Sequence, residues 1–377
     1  MANMGMREWL AVGRAIAEGK LLRYADNAHF IAAFEQRLAA HVRSKYALTV
    51  NSGTSALICA LAAAGVGPGD EVLVPAYTWL ATAAAAVIVG AVPILVDIND
   101  TLTMDPIDLE RKITPFTKAI IPVHMLNLPC AMDEIMAIAS KYRLFVIEDA
   151  CQAVGVRYKD RFCGALGDAG AFSFNKFKNI NIGEGGAVLT SDDRLFARAL
   201  NFHDLGLFTR GLKNTSNEPA FVGMNMRATE IEGAMLGVQL AKLRPMMARL
   251  RRRYDLIEPI LVRSSRFRVA PHNDRCNAVG LCVTFTRKEE AIAFAQQRGV
   301  YRLLDNSKHV YTNWEAILTK RSFNPRMNAW EWAQRPIEYQ LDMCAKTLDI
   351  LGRTCRIHLG ERYPLLVMHH LANRLAR

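Results

Sequence analysis

Two amines stand two positions apart in "FSFNKFKNINIGEGG", residues 172–186: Lys176 and Lys178, just ahead of a glycine-rich turn. A lysine beside a buried pocket has a depressed pKa and can serve as a nucleophile or a Schiff-base amine. A solvated surface charge is the plainer reading of either one. A second chemical stretch is "VIEDACQA", residues 146–153, where an apolar run ends in Glu148 and Asp149 and Gln152 lies three residues on. A carboxylate at a buried strand end is costly unless a cation meets it. It either caps a helix or stabilises the protonated ring nitrogen of a cofactor. The third stretch is "VNSGTSAL", residues 50–57. Backbone N–H groups at a helix N-terminus attract anions, and Gly53 lets the backbone come close. A well-capped helix explains that stretch equally. Singly, none of the three is specific. Together, in this order, they are the parts that pyridoxal phosphate needs: a phosphate anchor, an acid for the pyridinium nitrogen and a Schiff-base lysine.

The elements that must position these groups alternate from about residue 46 to 190. "YALTV", "DEVLVPA", "VPILVDI", "KAIIPVHM" and "LFVIEDA" read as strands, with helical patterns between them, and "AGAFSF" and "GGAVLTS" follow as shorter strands. Several are continuous apolar runs, the mark of strands buried on both faces. The order implies an α/β architecture with a mostly parallel sheet flanked by helices. Ligands on such sheets sit beyond the carboxyl ends of the strands, where all three chemical stretches fall. Asp105 and Pro106 predict a capped helix start, and Asp133 predicts another. A long helical pattern follows from about residue 228, with Pro245 expected to kink or break it. After it, "NAVGLCVTF" reads as a strand and "KEEAIAFAQQRG" as a helix. An irregular segment at about 305–340 then precedes two closing helical patterns. The expected division is a large domain over 1–245 and a smaller α+β domain over 246–377.

The chain has 377 residues with 51% hydrophobic and 22% charged, which argues against disorder. Its net charge is +11, which suits an anionic small molecule. No basic region is interleaved with aromatics, so nucleic acid is not expected as a partner. The densest basic run, "ARLRRRYD", sits at the end of a helical pattern, where cations complement the helix dipole. Eight scattered cysteines without a CxxC pair read as free thiols in a reducing compartment, and no metal site is expected. The uncharged stretch 79–96 is split by Gly90 and Pro93 and reads as a buried helix and strand rather than a membrane span. A cytoplasmic protein is expected.

The motifs "SGTSAL", "GDEVLVPAYTW", "EDACQA", "GDAGAFSFN", "KNINIGEGGAV" and "NMRATEIEGAMLGVQLAKL" resemble the DegT/DnrJ/EryC1/StrS family of pyridoxal-phosphate enzymes. That resemblance, densest over about residues 20–245, implies the aspartate-aminotransferase fold type I. It also separates the two lysines. The family's Schiff-base lysine stands five residues after the serine of "FSF", which is Lys178 counted from Ser173, while Lys176 is a neighbour. By the same resemblance Asp149 is the partner of the pyridinium nitrogen, Gln152 lies near the ring's phenolic oxygen and Trp79 stacks on the ring. Gly53, Thr54 and Ser173 take the phosphate. Asn225 reaches the phosphate from a partner subunit, which implies a homodimer. Met226, Leu126 and Leu128 depart from the pattern of many relatives. The implied activity is transfer of an amino group from glutamate or glutamine to a keto or aldehyde sugar. The C-terminal segment looks more like transaminases that form 8-amino-3,8-dideoxy-octulosonate. Lys176, Arg227, His309 and Trp314 are the candidate substrate residues, each with an ordinary surface or core alternative. A lyase, dehydratase or oxidase on the same scaffold, or a non-catalytic ligand-binding member, is the rival reading.

Overall fold

In a computed structural model, the structure describes residues 4–19, 21–25, 27–206, 218–359 and 363–376. Helices α1 (Met6–Ala17) and α2 (Phe30–Val42) precede the first strand. Strands and helices then alternate: β1 (Tyr46–Val50), α3 (Gly53–Ala63), β2 (Glu71–Pro75), α4 (Ala81–Ile88), β3 (Val92–Val96), α5 (Pro106–Arg111), β4 (Thr117–Ile120), α6 (Met132–Tyr142) and β5 (Phe145–Asp149). A hairpin of β6 (Arg157–Tyr158) and β7 (Arg161–Phe162) leads to β8 (Ala169–Ser173), β9 (Gly186–Thr190), α7 (Asp193–His203) and α8 (Glu230–Leu261).

Seven of these strands form one sheet in the order β1-β9-β8-β5-β4-β2-β3. β8, β5, β4, β2 and β3 are parallel, and β9 is antiparallel to both its neighbours, so β1 runs with the parallel set. The carboxyl ends of six strands therefore share one edge. β2, β3, β8 and β9 are buried at every residue, as their unbroken apolar runs require. The uncharged stretch at 79–96 resolves into α4 and β3, with Gly90 turning between them at φ +91°. Among the described residues no helix is long and apolar enough to cross a membrane.

Local signals set several boundaries. Asp105 caps α5, accepting from Ile107 N–H at 3.1 Å, and Pro106 takes the first helical position. Asp133 does not cap α6. Ala131 holds the cap position, and Asp133 sits in the first turn paired with Lys159. The break expected at Pro245 is also absent: α8 runs unbroken through Pro245 and Pro259. A mid-helix proline costs about 3 kcal/mol. The buried stripe of Leu240, Leu243, Met246 and Leu250 offsets it, at roughly 1.5–3 kcal/mol per fully buried side chain. The expected division at 245 thus falls inside one helix. The basic run 248–255 is likewise interior to α8 rather than at its end. Arg253 is buried and donates to the carbonyls of Leu359 and Tyr363, and Arg251 donates to those of Arg275 and Ala278.

A second sheet is wholly antiparallel, with order β10-β11-β13-β12. It comprises β10 (Arg268–Val269), β11 (Cys282–Thr284), β12 (Val300–Arg302) and β13 (Thr354–Ile357), flanked by α9 (Lys288–Ala295), α10 (Glu315–Leu318), α11 (Ala345–Arg353) and α12 (Leu365–Ala376). β13 was not expected between the two closing helices. Four residues carry too little periodicity to announce a strand, and its pairing with both β11 and β12 is what makes it one.

Glu230 joins the start of α8 to the start of α2. Its buried carboxylate accepts from the N–H groups of His29 (2.8 Å), Phe30 (2.6 Å) and Ile31 (3.2 Å). Glu230→Ala leaves those amides without a partner, at a cost of about 1–3 kcal/mol. The expected result is a lower urea midpoint with an unchanged slope.

Candidate active site

A cavity of about 640 Å³ opens at the shared carboxyl edge of the large sheet. Its first wall is the start of α3. Ser52 caps that helix, its Oγ accepting from Ser55 N–H at 3.0 Å. Gly53 and Thr54 therefore present first-turn N–H groups that have no helical acceptor. Both residues line the cavity, as does Ser173 at the end of β8. A Cβ on Gly53 would stand 2.7 Å from Ser173 Cβ and 2.9 Å from Cys151 Sγ. Only glycine lets the helix end close against β8, and the result is a concave, N–H-lined seat for an oxyanion.

The second wall is the end of β5. Successive strand residues point to opposite faces, and this sorts the two carboxylates. Glu148 faces inward and is fully buried. It accepts from the N–H groups of Gly164 (2.7 Å), Leu166 (2.5 Å) and Gly167 (2.7 Å), and His124 Nε2 lies 2.8 Å away. Cys130 N–H donates to His124 Nδ1 at 3.0 Å, so Nε2 carries the imidazole hydrogen and donates to Glu148. That carboxylate is satisfied and structural. Asp149 faces the cavity and is 5% exposed. Its Oδ2 accepts from Thr82 Oγ1 at 2.7 Å and its Oδ1 from Cys151 N–H at 3.1 Å. Among the described residues it has no cationic partner, and no helix follows it to be capped. It is a buried carboxylate still in need of a positive group.

The two lysines differ in their surroundings. Lys178 is half-buried and lines the cavity, while Lys176 is exposed and stands outside the lining. The turn that sorts them is pinned at both ends. Lys178 N–H donates to Asn175 O at 2.9 Å, and Lys176 N–H donates to Gly183 O at 3.0 Å. Asn179 Nδ2 donates to Asn127 Oδ1 and to Val154 O, both at 2.8 Å.

Trp79 and Gln152 line the cavity, together with His309. The Trp79 and His309 rings lie 5.1 Å apart. A directed chain of hydrogen bonds orients His309. Leu126 N–H donates to Gln152 Oε1 (3.2 Å), Gln152 Nε2 donates to His309 Nε2 (3.4 Å), and His309 Nδ1 donates to Asn306 Oδ1 (2.9 Å). Burial pushes the His309 imidazole down to about 4, with Lys178 and Arg356 adding to the effect. Trp314 does not reach the cavity. It is a buried core residue whose Nε1 donates to Lys308 O at 3.0 Å, supporting the loop that carries His309. Arg227 also stands outside the lining and pairs with Asp204. Asn225 is exposed and outside the cavity lining, and Thr229 caps α8. The sequence reading missed Tyr301, Asn306 and Arg356, which line the cavity from the second unit. No local pattern marks them: the pairing of β12 with β13 sets Tyr301 beside Arg356, and Asn306 lies in the loop after β12.

Residues 9–360 match the DegT/DnrJ/EryC1/StrS aminotransferase family, and the chain belongs to it. The chain is similar to GDP-perosamine synthase of Caulobacter vibrioides, 41% identical over 245 residues, covering 64% of this chain and 65% of that protein. It is also similar to the spore coat polysaccharide biosynthesis protein SpsC of Bacillus subtilis, 42% identical over 223 residues, 57% of each chain. In both cases the match spans less than two thirds of the relative's length. A crystal structure of 3-amino-5-hydroxybenzoic acid synthase shares the fold with a TM-score of 0.83 at 26% identity, covering 99% of this chain and 96% of that one. The fold is that of the type I pyridoxal-phosphate aminotransferases.

The residues present fit pyridoxal 5′-phosphate. The seat at Gly53, Thr54 and Ser173 suits its phosphate, the cation-free Asp149 its ring nitrogen and Lys178 its aldehyde. Gly53→Ala drives a methyl group into Ser173 and Cys151, and overpacking of this kind costs about 1–3 kcal/mol. The expected outcome is roughly tenfold or weaker cofactor affinity in a spectroscopic titration, with far-ultraviolet circular dichroism unchanged. A second expectation concerns His309. Its depressed pKa keeps the ring neutral from neutral pH down to about 4. Proton NMR of the imidazole should show a midpoint well below 6.5, and the pH–rate profile should carry no inflection near 6.5 from this residue.

Proposed function

We propose that the chain is a pyridoxal-phosphate-dependent aminotransferase that moves an amino group from glutamate or glutamine to a keto or aldehyde sugar. The observation that carries this reading is one cavity holding the open end of α3, the cation-free Asp149 and the amine of Lys178. When bound, the cofactor supplies an electron sink for the electron pair left at the substrate carbon. The chain's own residues do the rest. The N–H groups of Gly53 and Thr54, with Ser173 Oγ, hold the phosphate. Asp149 holds the proton of the ring nitrogen in place, and Thr82 and the Cys151 amide fix the carboxylate that does so. Trp79 would cover a ring face, and Gln152 would donate to a ring oxygen; both line the cavity. Lys178 Nζ would hold the cofactor's aldehyde carbon, and its amine would serve as the base and acid at the substrate carbon that bears the nitrogen.

The similarity to GDP-perosamine synthase and to a polysaccharide biosynthesis protein supports a sugar acceptor, nucleotide-linked or free, in cell-surface glycan or natural-product synthesis. The eight-carbon keto acid sugar suggested by the C-terminal segment stays within this proposal. So does a cytoplasmic homodimer with shared sites. In that homodimer Asn225, which is exposed and outside the cavity lining, would serve the partner copy.

Glutamate added to the reconstituted protein should bleach the cofactor's visible band, and a keto sugar should restore it. Lys178→Ala should lower the rate by at least about 10²-fold, whereas Lys176→Ala should leave it unchanged. Borohydride trapping that labelled a residue other than Lys178 would overturn the reading.

A further inference from the structure

Two buried hydroxyls form a chain that ends on Asp149. Thr78 and Thr82 stand four residues apart across the start of α4, and neither has any exposed surface. Their Oγ1 atoms lie 2.8 Å from each other, and Thr82 Oγ1 lies 2.7 Å from Asp149 Oδ2. Threonines near a helix start commonly turn their hydroxyls to the backbone as caps. Here neither does: Leu80 holds the cap position of α4, and no side chain caps that helix. Backbone contacts fix the first member of the chain. Thr78 N–H donates to His309 O at 3.0 Å, and Tyr77 before it forms a bridge with Val310. Thr82 N–H donates to Trp79 O at 3.0 Å, so the segment that carries Trp79 also carries both hydroxyls.

Counting hydrogens gives the chain a direction. An ionised carboxylate only accepts, and a threonine hydroxyl has one hydrogen to give. The hydrogen of Thr82 goes to Asp149. The contact between the two hydroxyls therefore takes its hydrogen from Thr78. Thr78 donates to Thr82, and Thr82 donates to Asp149. While Asp149 is ionised, no other order satisfies both contacts. A donor held at Thr82 Oγ1 leaves that hydroxyl one direction for its own hydrogen. It also polarises the O–H group aimed at Asp149, an effect that is stronger away from water. The second carboxylate oxygen is held separately by Cys151 N–H at 3.1 Å. Two neutral donors thus set the carboxylate's orientation and leave its charge for a ligand.

We propose that Thr78 is a positioning residue for Asp149, acting only through Thr82, an inference that rests on the aminotransferase reading above. The relay keeps the carboxylate a weak base that leaves the proton on the ring nitrogen. Because Thr78 is tied to the His309 carbonyl, the second unit fixes the origin of that relay.

The test uses the full chain and a double-mutant cycle read as affinity for pyridoxal phosphate. Valine keeps the branched shape of threonine and removes the hydroxyl. Thr82→Val takes a hydrogen bond from a charged acceptor and should weaken cofactor binding roughly tenfold or more. Thr78→Val should weaken it about fivefold. In the double variant the change at Thr78 should add nothing to the change at Thr82. Thr78→Ser, which restores the hydroxyl, should bind as wild type does and guards against a packing defect at position 78. A second readout is the pH midpoint of the bound cofactor's visible band. A carboxylate with a weaker donor is more basic and draws the ring proton toward itself. The midpoint should therefore rise in Thr78→Val and return in Thr78→Ser. Additive losses in the cycle overturn the proposal, as does a folded Thr78→Val with wild-type affinity and midpoint. If wild type takes up no cofactor, the aminotransferase reading fails by itself, and the relay is read in the chain alone. There proton NMR should show the Thr78 hydroxyl hydrogen in slow exchange, and Thr82→Val, which removes its acceptor, should move that resonance. An unmoved resonance overturns the relay.

Discussion

A carboxylate with almost no access to water and, among the described residues, no cationic partner is the point on which this site turns. Asp149 owes that position to the parallel pairing of β5 with β4 and β8, which delivers the last residue of β5 to the edge where the cavity opens. Thr82 and the Cys151 amide satisfy part of it and fix its direction. Neither neutralises it. Burying such a charge is costly, and a protonated ring nitrogen removes the cost by supplying the missing partner. Its neighbour Glu148 shows the contrasting solution one residue away. Three backbone N–H groups and an imidazole leave that carboxylate nothing to offer a ligand.

The second unit is held to this edge by backbone pairing rather than by side chains alone. Tyr77 and Val310 form an antiparallel bridge, Thr78 N–H donates to His309 O, and Tyr311 N–H donates to Ala76 O. Trp314, buried beneath the loop, holds Lys308 O. The strand-end loop that carries Trp79 and the loop that carries His309 are therefore one stitched surface. Tyr301, Asn306 and Arg356 join the lining that holds Lys178. A ligand there meets an oxyanion seat at the start of α3, a carboxylate at the end of β5, and the cations Lys178 and Arg356 in the same lining.

Much of the large sheet was legible in the sequence because its strands are buried on both faces and read as apolar runs. Ser52, Asp105 and Pro106 marked helix starts by local hydrogen bonding that needs no distant partner. The failures have equally physical causes. Asp133 has the residue type of a cap, but an ion pair with Lys159 and a helix starting one residue earlier use it otherwise. Pro245 was expected to kink or break the helix, and α8 continues through it on its buried stripe. The basic run 248–255 looked like a dipole-compensating terminus, and tertiary contacts instead drew Arg253 into the interior.

The amino-acid order by itself determined the chemistry-bearing set on the large sheet. Gly53, Asp149, Ser173 and Lys178 each follow a strand directly or stand within a few residues of one, so a parallel sheet brings their loops to one edge. It could not separate pocket from surface where chain neighbours diverge, nor place residues that only strand pairing unites. Tertiary structure decided that Lys178 lines the cavity while Lys176 is exposed, that Trp314 is a support, and that Arg356 meets Tyr301 in the cavity lining. The reason is one of range: local hydrogen bonds and periodicity act over a few residues, whereas these outcomes depend on contacts between segments tens to hundreds of residues apart.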